Sequence, residues 1–256
     1  MYDMPELRAA LDRLWSALSR ALAGAPAALV RDRAPEALWA DEGLFVSQCC
    51  GYDLVNRHAG ILRPLVTPRY TASGCRGTDY CSQVVVAEGS AIAELSEARG
   101  AVCAVNGLDS HSGMNALRAL VASLHHGGRF FSRVTLCGSH ADSLAAVACG
   151  EADICAVDCV SHALLARHRP DALRGTRILC QSAAAPGIPF VTRVDRGEGF
   201  AQRLQAALLE ILGDPELSDA RRELFFDGGE ALPLGAYARI AEFESEAAAH
   251  GYPVLH

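Results

Sequence analysis

Short β-rich runs alternate with helical segments from Leu44 onward, and this alternation constrains the fold more than any other feature of the chain. Apolar, partly β-branched runs such as 84–87 and 101–105 are separated by stretches with apolar residues at helical spacing. The pattern is typical of an α/β architecture with mainly parallel sheets and flanking helices. Strands are predicted near residues 44–49, 62–67, 83–87, 101–105, 133–137, 153–157, 176–180 and 190–194.

Helical periodicity fills most of the intervals between these strands and both ends of the chain. One helix is predicted to begin after Ser110 or Ser112 and to stop at 127–128, and a second follows Ser139 and ends near Gly150. An N-terminal helix has leucines on one face, which indicates core packing. Those leucines are at positions 7, 11, 14, 18 and 22, and further helices are predicted around 204–211 and over 235–249.

The charge and hydropathy of the 256-residue chain exclude two classes of function. Its formal net charge of −7 and its lack of Lys/Arg clusters argue against a nucleic-acid partner, because phosphate-backbone binding requires a basic surface. Its apolar runs fall far short of the roughly 20 residues that span a bilayer. The negative net charge also means that long-range electrostatic attraction cannot recruit an anionic ligand, so a local site would have to bind one.

The ten cysteines do not form a recognisable metal or disulfide pattern. There is no CxxC pair, and the nearest spacings, Cys155 with Cys159 and Cys75 with Cys81, are not zinc-binding spacings. We expect no metal site and no cofactor. The cysteines are interpreted as small core residues in a reducing compartment.

Two strand-to-helix turns, residues 105–113 and 136–142, combine small hydroxyl residues, a glycine and a histidine. In open α/β sheets, ligands bind where strands end and helices begin, and a helix amino end binds anions through its N–H groups and its dipole. Ser110, Ser112 and the N–H of Gly113 could hold one set of ligand oxygens, and His140 could donate to another.

Each of these residues also has a purely structural interpretation. Serine at a helix start is more often a cap than a ligand-binding group, and a single histidine is usually structural. Asp158 ends the apolar run 154–157 and is predicted to cap the helix that leads toward Arg167. The combination of the two turns carries more weight than either alone.

An ordered set of motifs between residues 38 and 194 resembles the phosphate, phosphite and phosphonate solute-binding proteins of ABC importers. The clearest is Gln-Cys-Cys-Gly-Tyr at 48–52, which resembles the family's Gln-Thr-Cys-Gly-Tyr turn. The others are Thr-Pro-Arg-Tyr at 67–70, Gly-Cys-Arg-Gly at 74–77, Tyr-Cys-Ser at 80–82, the segments 95–106 and 152–159, Ser-His-Ser-Gly at 110–113, Gly-Ser-His at 138–140 with Ser143, and Ala-Pro-Gly-Ile-Pro at 185–189.

The resemblance implies a two-lobed type II periplasmic-binding-protein fold with a ligand cleft between the lobes. Lobe I is expected to comprise residues 1–87 and 190–256, and lobe II residues 88–189. The chain would cross near 86–89 and return near 186–191, so that these segments would act as a hinge. Closure of the lobes on the ligand would exclude water from it.

The same resemblance assigns roles to individual residues. Ser110, His111, Ser112 and Gly113, together with His140, look like the anion cradle on lobe II. Gln48 and Tyr80 would form the facing wall on lobe I, and Asp158 is a further candidate for ligand binding. No catalytic residue is implied, and the expected partners are a small phosphorus oxyanion and an ABC permease, with the protein itself a monomer.

Two departures from the family pattern affect the expected ligand and compartment. Pro-Gly-Ile-Pro at 186–189 stands where phosphonate binders that hold an amino group often have an acidic residue, which puts amine recognition in doubt. The family implies a periplasmic location, but the chain has no signal peptide after Met1. A cytoplasmic location therefore remains open, as does a start codon farther upstream.

Two alternative functions are compatible with the same scaffold, because fold alone does not determine function. One is an enzyme in which Cys50, His140 and Asp158 act as a nucleophilic set. The other is a cytoplasmic sensor that binds the anion and signals to a partner. The sequence does not distinguish phosphate from phosphite or an alkylphosphonate.

Overall fold

The computed structural model describes residues 2–125 and 127–256 and divides the chain into two compact units. Unit 1 comprises Met1–Thr71, Arg76–Asp79 and Pro186–Ala238. Unit 2 comprises Ala72–Cys75, Tyr80–Ala185 and Arg239–His256.

The helices and strands follow the alternating pattern of the sequence. The α-helices are α1 (Arg8–Ala21), α2 (Pro35–Trp39), α3 (Gly51–Asn56), α4 (Ala116–Ala122), α5 (His140–Ala148), α6 (Cys159–His168), α7 (Glu198–Gly213), α8 (Ser218–Glu223) and α9 (Ala238–Ala249). The strands are β1 (Ser47–Gln48), β2 (Leu62–Tyr70), β3 (Asp79–Tyr80), β4 (Ser82–Ala87), β5 (Val102–Val105), β6 (Arg133–Leu136), β7 (Ile154–Asp158), β8 (Thr176–Gln181), β9 (Ala185–Pro186), β10 (Phe190–Arg193) and β11 (Phe226–Glu230).

Every predicted strand overlaps an observed one, and three observed strands were not predicted. Of these, β3 and β9 have only two residues each, and β11 contains Gly228 and Gly229, so none carries a strand signature of its own. The helix predicted to run to 127–128 ends at Ala122 and is followed by a turn. The final predicted helix begins with a 3-10 turn, Leu234–Tyr237, and continues as α9.

Unit 1 is built on a four-stranded sheet with the order β1-β10-β2-β11, in which every pair is antiparallel. Helix α7 packs against β2 and β11, and α1 packs against α7 and α8. The apolar faces that the periodicity predicted form the core here, with Leu14, Leu18 and Leu204 all buried.

Unit 2 is built on a five-stranded sheet with the order β6-β5-β7-β4-β8. The strands β6, β5 and β7 are parallel, because α4 and α5 supply the crossover connections that parallel pairing requires. The pairs β7–β4 and β4–β8 are antiparallel. The expected parallel arrangement therefore holds for the three strands that carry the candidate site, and the remaining ladders of both sheets are antiparallel.

The C-terminal segment Arg239–His256 packs within unit 2, whereas the sequence placed it in lobe I. The Asn115 side chain donates to the Ile240 carbonyl over 3.0 Å, and Arg118 donates to the Pro253 carbonyl over 2.7 Å. The N–H groups of Phe130 and Phe131 donate to the His256 carbonyl. These long-range bonds have no signature in local periodicity.

Strand β4 also belongs to unit 2 rather than to the expected lobe I, since it pairs with β7 on one side and β8 on the other. Val84, Val85 and Val86 are consequently fully buried. In the described part of the chain, each helix is too short or too polar to cross a membrane.

Candidate functional site

The three parallel strands of unit 2 end at the same edge of the sheet, and most of the predicted site residues lie there. Strand β5 ends at Val105 and leads through a loop to Ser110, while β6 ends at Leu136 and leads to His140. Strand β7 ends at Asp158 itself. Neighbouring parallel strands place their carboxyl ends together, so three loops converge on one region.

A hydrogen bond joins the two predicted turns. Ser112 Oγ lies 3.1 Å from His140 Nε2, although the residues are 28 positions apart in the chain. Ser112 lies in the π-helical turn that leads directly into α4, and His140 is the first residue of α5. Two helix amino ends therefore meet, and their N–H groups and dipoles favour negative charge at the same place.

The residues directly before α4 form a π-helical turn, His111–Asn115, which is capped by Ser110. Ser110 Oγ accepts the N–H of Gly113 over 3.0 Å, so this N–H, which the sequence analysis proposed for a ligand oxygen, is bonded within the turn. The N–H groups of His111 and Ser112 lie in the first turn, where the helix itself offers no acceptor. They are the backbone donors best suited to an anion.

Gly113 is required by its close approach to Asn106. A Cβ at position 113 would lie 1.7 Å from Asn106 Oδ1, a distance that no side chain can occupy. Asn106 Oδ1 is buried and has no hydrogen-bond partner among the described residues. Sequence reasoning did not list Asn106 as a site residue, although its position directly after β5, at the sheet edge, could have indicated it.

Burial controls the protonation of His140. Removal from water lowers the pKa of its ring, while the Asp158 carboxylate and the Ala156 carbonyl act in the opposite direction, and the net pKa lies below the ordinary value. The ring is therefore neutral at pH 7. An anionic ligand placed beside it would favour the protonated form.

The caps of α5 and α6 are those predicted from the sequence. Ser139 Oγ accepts the N–H of Asp142 and donates to its carboxylate, which completes the S-x-x-D pattern. Asp158 accepts the N–H groups of Val160 and Ser161, at 2.7 and 3.3 Å. Asp158 thus caps α6, and its charge acts on His140 from that position.

The His111 side chain is directed to the C-terminal segment of unit 2. Its ring centroid is 5.1 Å from that of Phe243, in an edge-to-face arrangement, and 6.0 Å from that of Tyr80. His111 Nδ1 lies 3.1 Å from the Asn115 side-chain nitrogen. Burial lowers the pKa of His111 to about 3, so the ring packs as a neutral aromatic group and leaves the backbone N–H as the group that can face a ligand.

Gln48 and Tyr80, both expected on lobe I, lie in different units. Tyr80 is buried in unit 2 beside His111. Gln48 lies in unit 1, where its side-chain nitrogen donates to the Tyr70 hydroxyl over 3.2 Å and to the Ile188 carbonyl over 3.3 Å. The hydrogen bonds of the Gln48 amide therefore join residues within unit 1.

Cys50, the nucleophile of the alternative enzyme, belongs to a different unit from His140 and Asp158. Cys50 precedes α3 in unit 1, and the His140 ring nitrogen is bonded to a serine hydroxyl rather than to a thiol. Among residues 2–125 and 127–256, no group of three or more His, Cys, Asp or Glu side chains is arranged to hold a metal ion.

Three solved structures superimpose on this chain over most of its length. A binding-protein component of an ABC phosphonate transporter from Pseudomonas aeruginosa superimposes with a TM-score of 0.78 at 17% identity, covering 97% of this chain and 84% of that one. PhnD1 from Prochlorococcus marinus, in complex with methylphosphonate, gives a TM-score of 0.73 at 15% identity, with 96% and 95% covered. XAC2383 from Xanthomonas citri bound to ATP gives 0.69 at 20% identity, with 96% and 94% covered.

These similarities define the class as the two-lobed periplasmic-binding-protein fold, and they confirm the predicted fold class. The model of the family described as "ABC transporter, phosphonate, periplasmic substrate-binding protein" matches residues 44–232. The chain belongs to this family of periplasmic substrate-binding proteins, as its motifs predicted. No curated protein matches the chain.

Proposed function

We propose that this protein captures a small phosphorus oxyanion, namely phosphate, phosphite or an alkylphosphonate, and delivers it unchanged to an ABC permease from the periplasm. The ligand would lie at the cradle of unit 2. We define the cradle as the π-helical turn before α4 and the first turn of α5, and its key side chains are Ser110, Ser112 and His140. The observation that carries the proposal is the Ser112–His140 hydrogen bond, because it brings two helix amino ends to one point.

Local electrostatics favour an anion at the cradle despite the net charge of −7. The N–H groups and dipoles of the two helix starts are fixed in place by the Ser110 and Ser139 caps, so they need little reorganisation when a ligand binds. Backbone and hydroxyl donors that converge from two helices suit the several oxygens of a tetrahedral anion better than the two oxygens of a carboxylate. The members of the family bind phosphonates, which agrees with this choice.

An enzyme is the second candidate, because Ser112, His140 and Asp158 include the residue types of a nucleophilic triad. The Ser112–His140 bond is present, but Asp158 is held as the cap of α6 by the first turn of that helix. We expect ³¹P NMR of methylphosphonate incubated with the protein to show only the unchanged compound. Release of phosphate that disappears in Ser112→Ala would favour the enzyme instead.

Calorimetry on Ser112→Ala tests the binding proposal directly. The substitution deletes one hydrogen bond to a charged ligand, which contributes roughly 1.5–3 kcal/mol, so affinity for methylphosphonate or phosphate should fall by about 10- to 150-fold. Ser123→Ala is the matched control, since Ser123 is an exposed residue at the other end of α4.

The same affinity in Ser112→Ala and wild type, with both proteins melting cooperatively, would place the ligand elsewhere. Sulfate and acetate should bind more weakly than any of the phosphorus oxyanions. Release of the protein by osmotic shock from cells expressing the native gene would test the periplasmic location separately.

A further inference from the structure

Three cysteine sulfurs meet in unit 2, at a place that the proposed function does not use. Cys75 Sγ lies 3.4 Å from Cys159 Sγ, although the residues are 84 positions apart. The Cys81 thiol is also hydrogen-bonded to Cys159, and the Cys159 N–H donates to the Cys81 carbonyl over 3.0 Å. Cys159 is therefore the central member of the cluster.

Gly74 makes room for these sulfurs. Its φ of +99° lies in the left-handed region that favours glycine, and a Cβ there would lie 2.7 Å from Cys81 Sγ and 3.2 Å from Cys159 Cβ. The loop that carries Cys75 can thus approach the amino end of α6, where Cys159 is the first residue.

The three thiols differ in their access to solvent. Cys81 and Cys159 are buried, whereas Cys75 is half-buried next to the exposed Arg76. A hydrogen bond to Cys159 and burial raise the pKa of Cys81. The hydrogen bond to Cys75, burial and the nearby Asp158 carboxylate raise the pKa of Cys159 and outweigh the opposite effect of its hydrogen bond to Cys81, so both are protonated thiols at neutral pH. A reagent from solution would therefore meet Cys75 first.

We propose that Cys75 and Cys159 are a disulfide-forming pair, oxidised by exchange with a disulfide such as oxidised glutathione. The Cys75 thiolate attacks the reagent and forms a mixed disulfide, and one glutathione thiol leaves. Cys159 then loses its proton and attacks Cys75 Sγ, which expels the second glutathione thiol. Two protein thiols and one glutathione disulfide become one protein disulfide and two glutathione thiols.

Bridge formation requires the two sulfurs to close from 3.4 Å to about 2.05 Å. The glycines on both sides of the Cys75–Arg76 pair, Gly74 and Gly77, have positive φ and give the loop the freedom for this movement. The bridge would tie the loop after β2 to the start of α6, and it would form in an oxidising compartment such as the periplasm. The proposal does not depend on which ligand the cradle binds.

Non-reducing peptide mass spectrometry tests the pair. After native protein is incubated with oxidised glutathione, its mass should fall by that of two hydrogen atoms, and its digest should contain a peptide in which Cys75 and Cys159 are linked. Dithiothreitol should reduce this link and separate the two peptides. Its melting temperature should rise on oxidation and return on reduction, because a crosslink restricts the unfolded chain. Cys75→Ser should abolish both effects.

Cys149→Ser is the matched control, since Cys149 is exposed and lies outside the cluster; it should keep the bridge and the shift in melting temperature. Cys75→Ser retains the buried thiols and should still melt cooperatively when reduced. A disulfide between Cys81 and Cys159, in place of one between Cys75 and Cys159, would overturn the assignment. A stable glutathione adduct on Cys75 would also overturn it, and so would the failure of oxidised glutathione to oxidise any of the three thiols.

Discussion

Single residues at the cradle have their roles through close contacts rather than through residue type alone. Gly113 is needed because of Asn106, and His111 is a packing residue because Phe243 and Asn115 surround it. His140 is held by Ser112 and influenced by Asp158. These contacts make specific substitutions informative.

Gly113→Ala should destabilise the protein and weaken ligand binding, because the new Cβ would collide with Asn106 Oδ1. We expect a loss of about 1–3 kcal/mol in the free energy of unfolding, typical of overpacking. Adding Asn106→Ala should restore part of this loss. The control is Gly89→Ala, also in unit 2, where a Cβ meets nothing within 4 Å. Urea unfolding of the four proteins measures the effect, and equal losses in the variant and the control would contradict it.

His111 should make the protein less stable in acid. Its pKa is about 3 in the folded protein, below the 6.5 of an unfolded histidine, so its contribution to stability is complete above pH 6.5 and is lost as the pH falls. Between pH 7 and pH 5 this residue alone should reduce the free energy of unfolding by about 2 kcal/mol.

His111→Phe keeps an aromatic ring beside Phe243 and removes the titrating group. Denaturation curves at both pH values should therefore show a smaller decrease for this variant than for wild type. His58, His140 and His162, whose pKa values are lowered in the same direction, remain in both proteins. The same decrease in both proteins would show that His111 is not the group responsible.

At the scale of elements, the site depends on helix starts that are capped independently. Asp158 both caps α6 and acts on the charge state of His140. Different substitutions separate these two effects, because asparagine retains the cap and removes the charge, whereas alanine removes both.

Asp158→Ala should reduce the free energy of unfolding by about 1 kcal/mol, and Asp158→Asn should reduce it less. In Asp158→Asn the pKa of His140 should fall further, since the carboxylate that raises it is gone. NMR titration of the His140 ring in wild type and in Asp158→Asn measures this change in pKa. An unchanged pKa of His140 would mean that the Asp158 charge does not reach it.

For the whole molecule, a ligand that binds only the folded state must raise the melting temperature. Phosphate, phosphite or methylphosphonate at 100 times its dissociation constant should stabilise the protein by about 2.7 kcal/mol, and Ser112→Ala should need proportionally more ligand. A thermal-shift series with sulfate and acetate as controls checks this. No shift with any phosphorus oxyanion would remove the proposed function but leave the disulfide proposal standing.

Closure of the lobes on a ligand stays a prediction from the family resemblance. Small-angle scattering with and without saturating methylphosphonate measures it, with a smaller radius of gyration expected in the bound state. An unchanged radius for a ligand that binds tightly would exclude this mechanism.

The sequence by itself determined the elements of this protein and the chemistry of its turns. Periodicity indicated α1 and every strand of the unit 2 sheet, and local capping rules identified Ser139 and Asp158 as helix caps, because these signals come from neighbours in the chain. Motif order was enough to predict the family. These features depend on residues only a few positions apart.

Tertiary structure alone decided which of these elements share a unit and which side chains meet. The packing of Arg239–His256 in unit 2 depends on bonds such as Asn115 to Ile240, 125 positions away. The Ser112–His140 contact, the inward direction of the His111 ring and the Cys75–Cys159 approach likewise join distant segments. Such contacts follow from how sheets and helices pack, and local patterns carry no record of them.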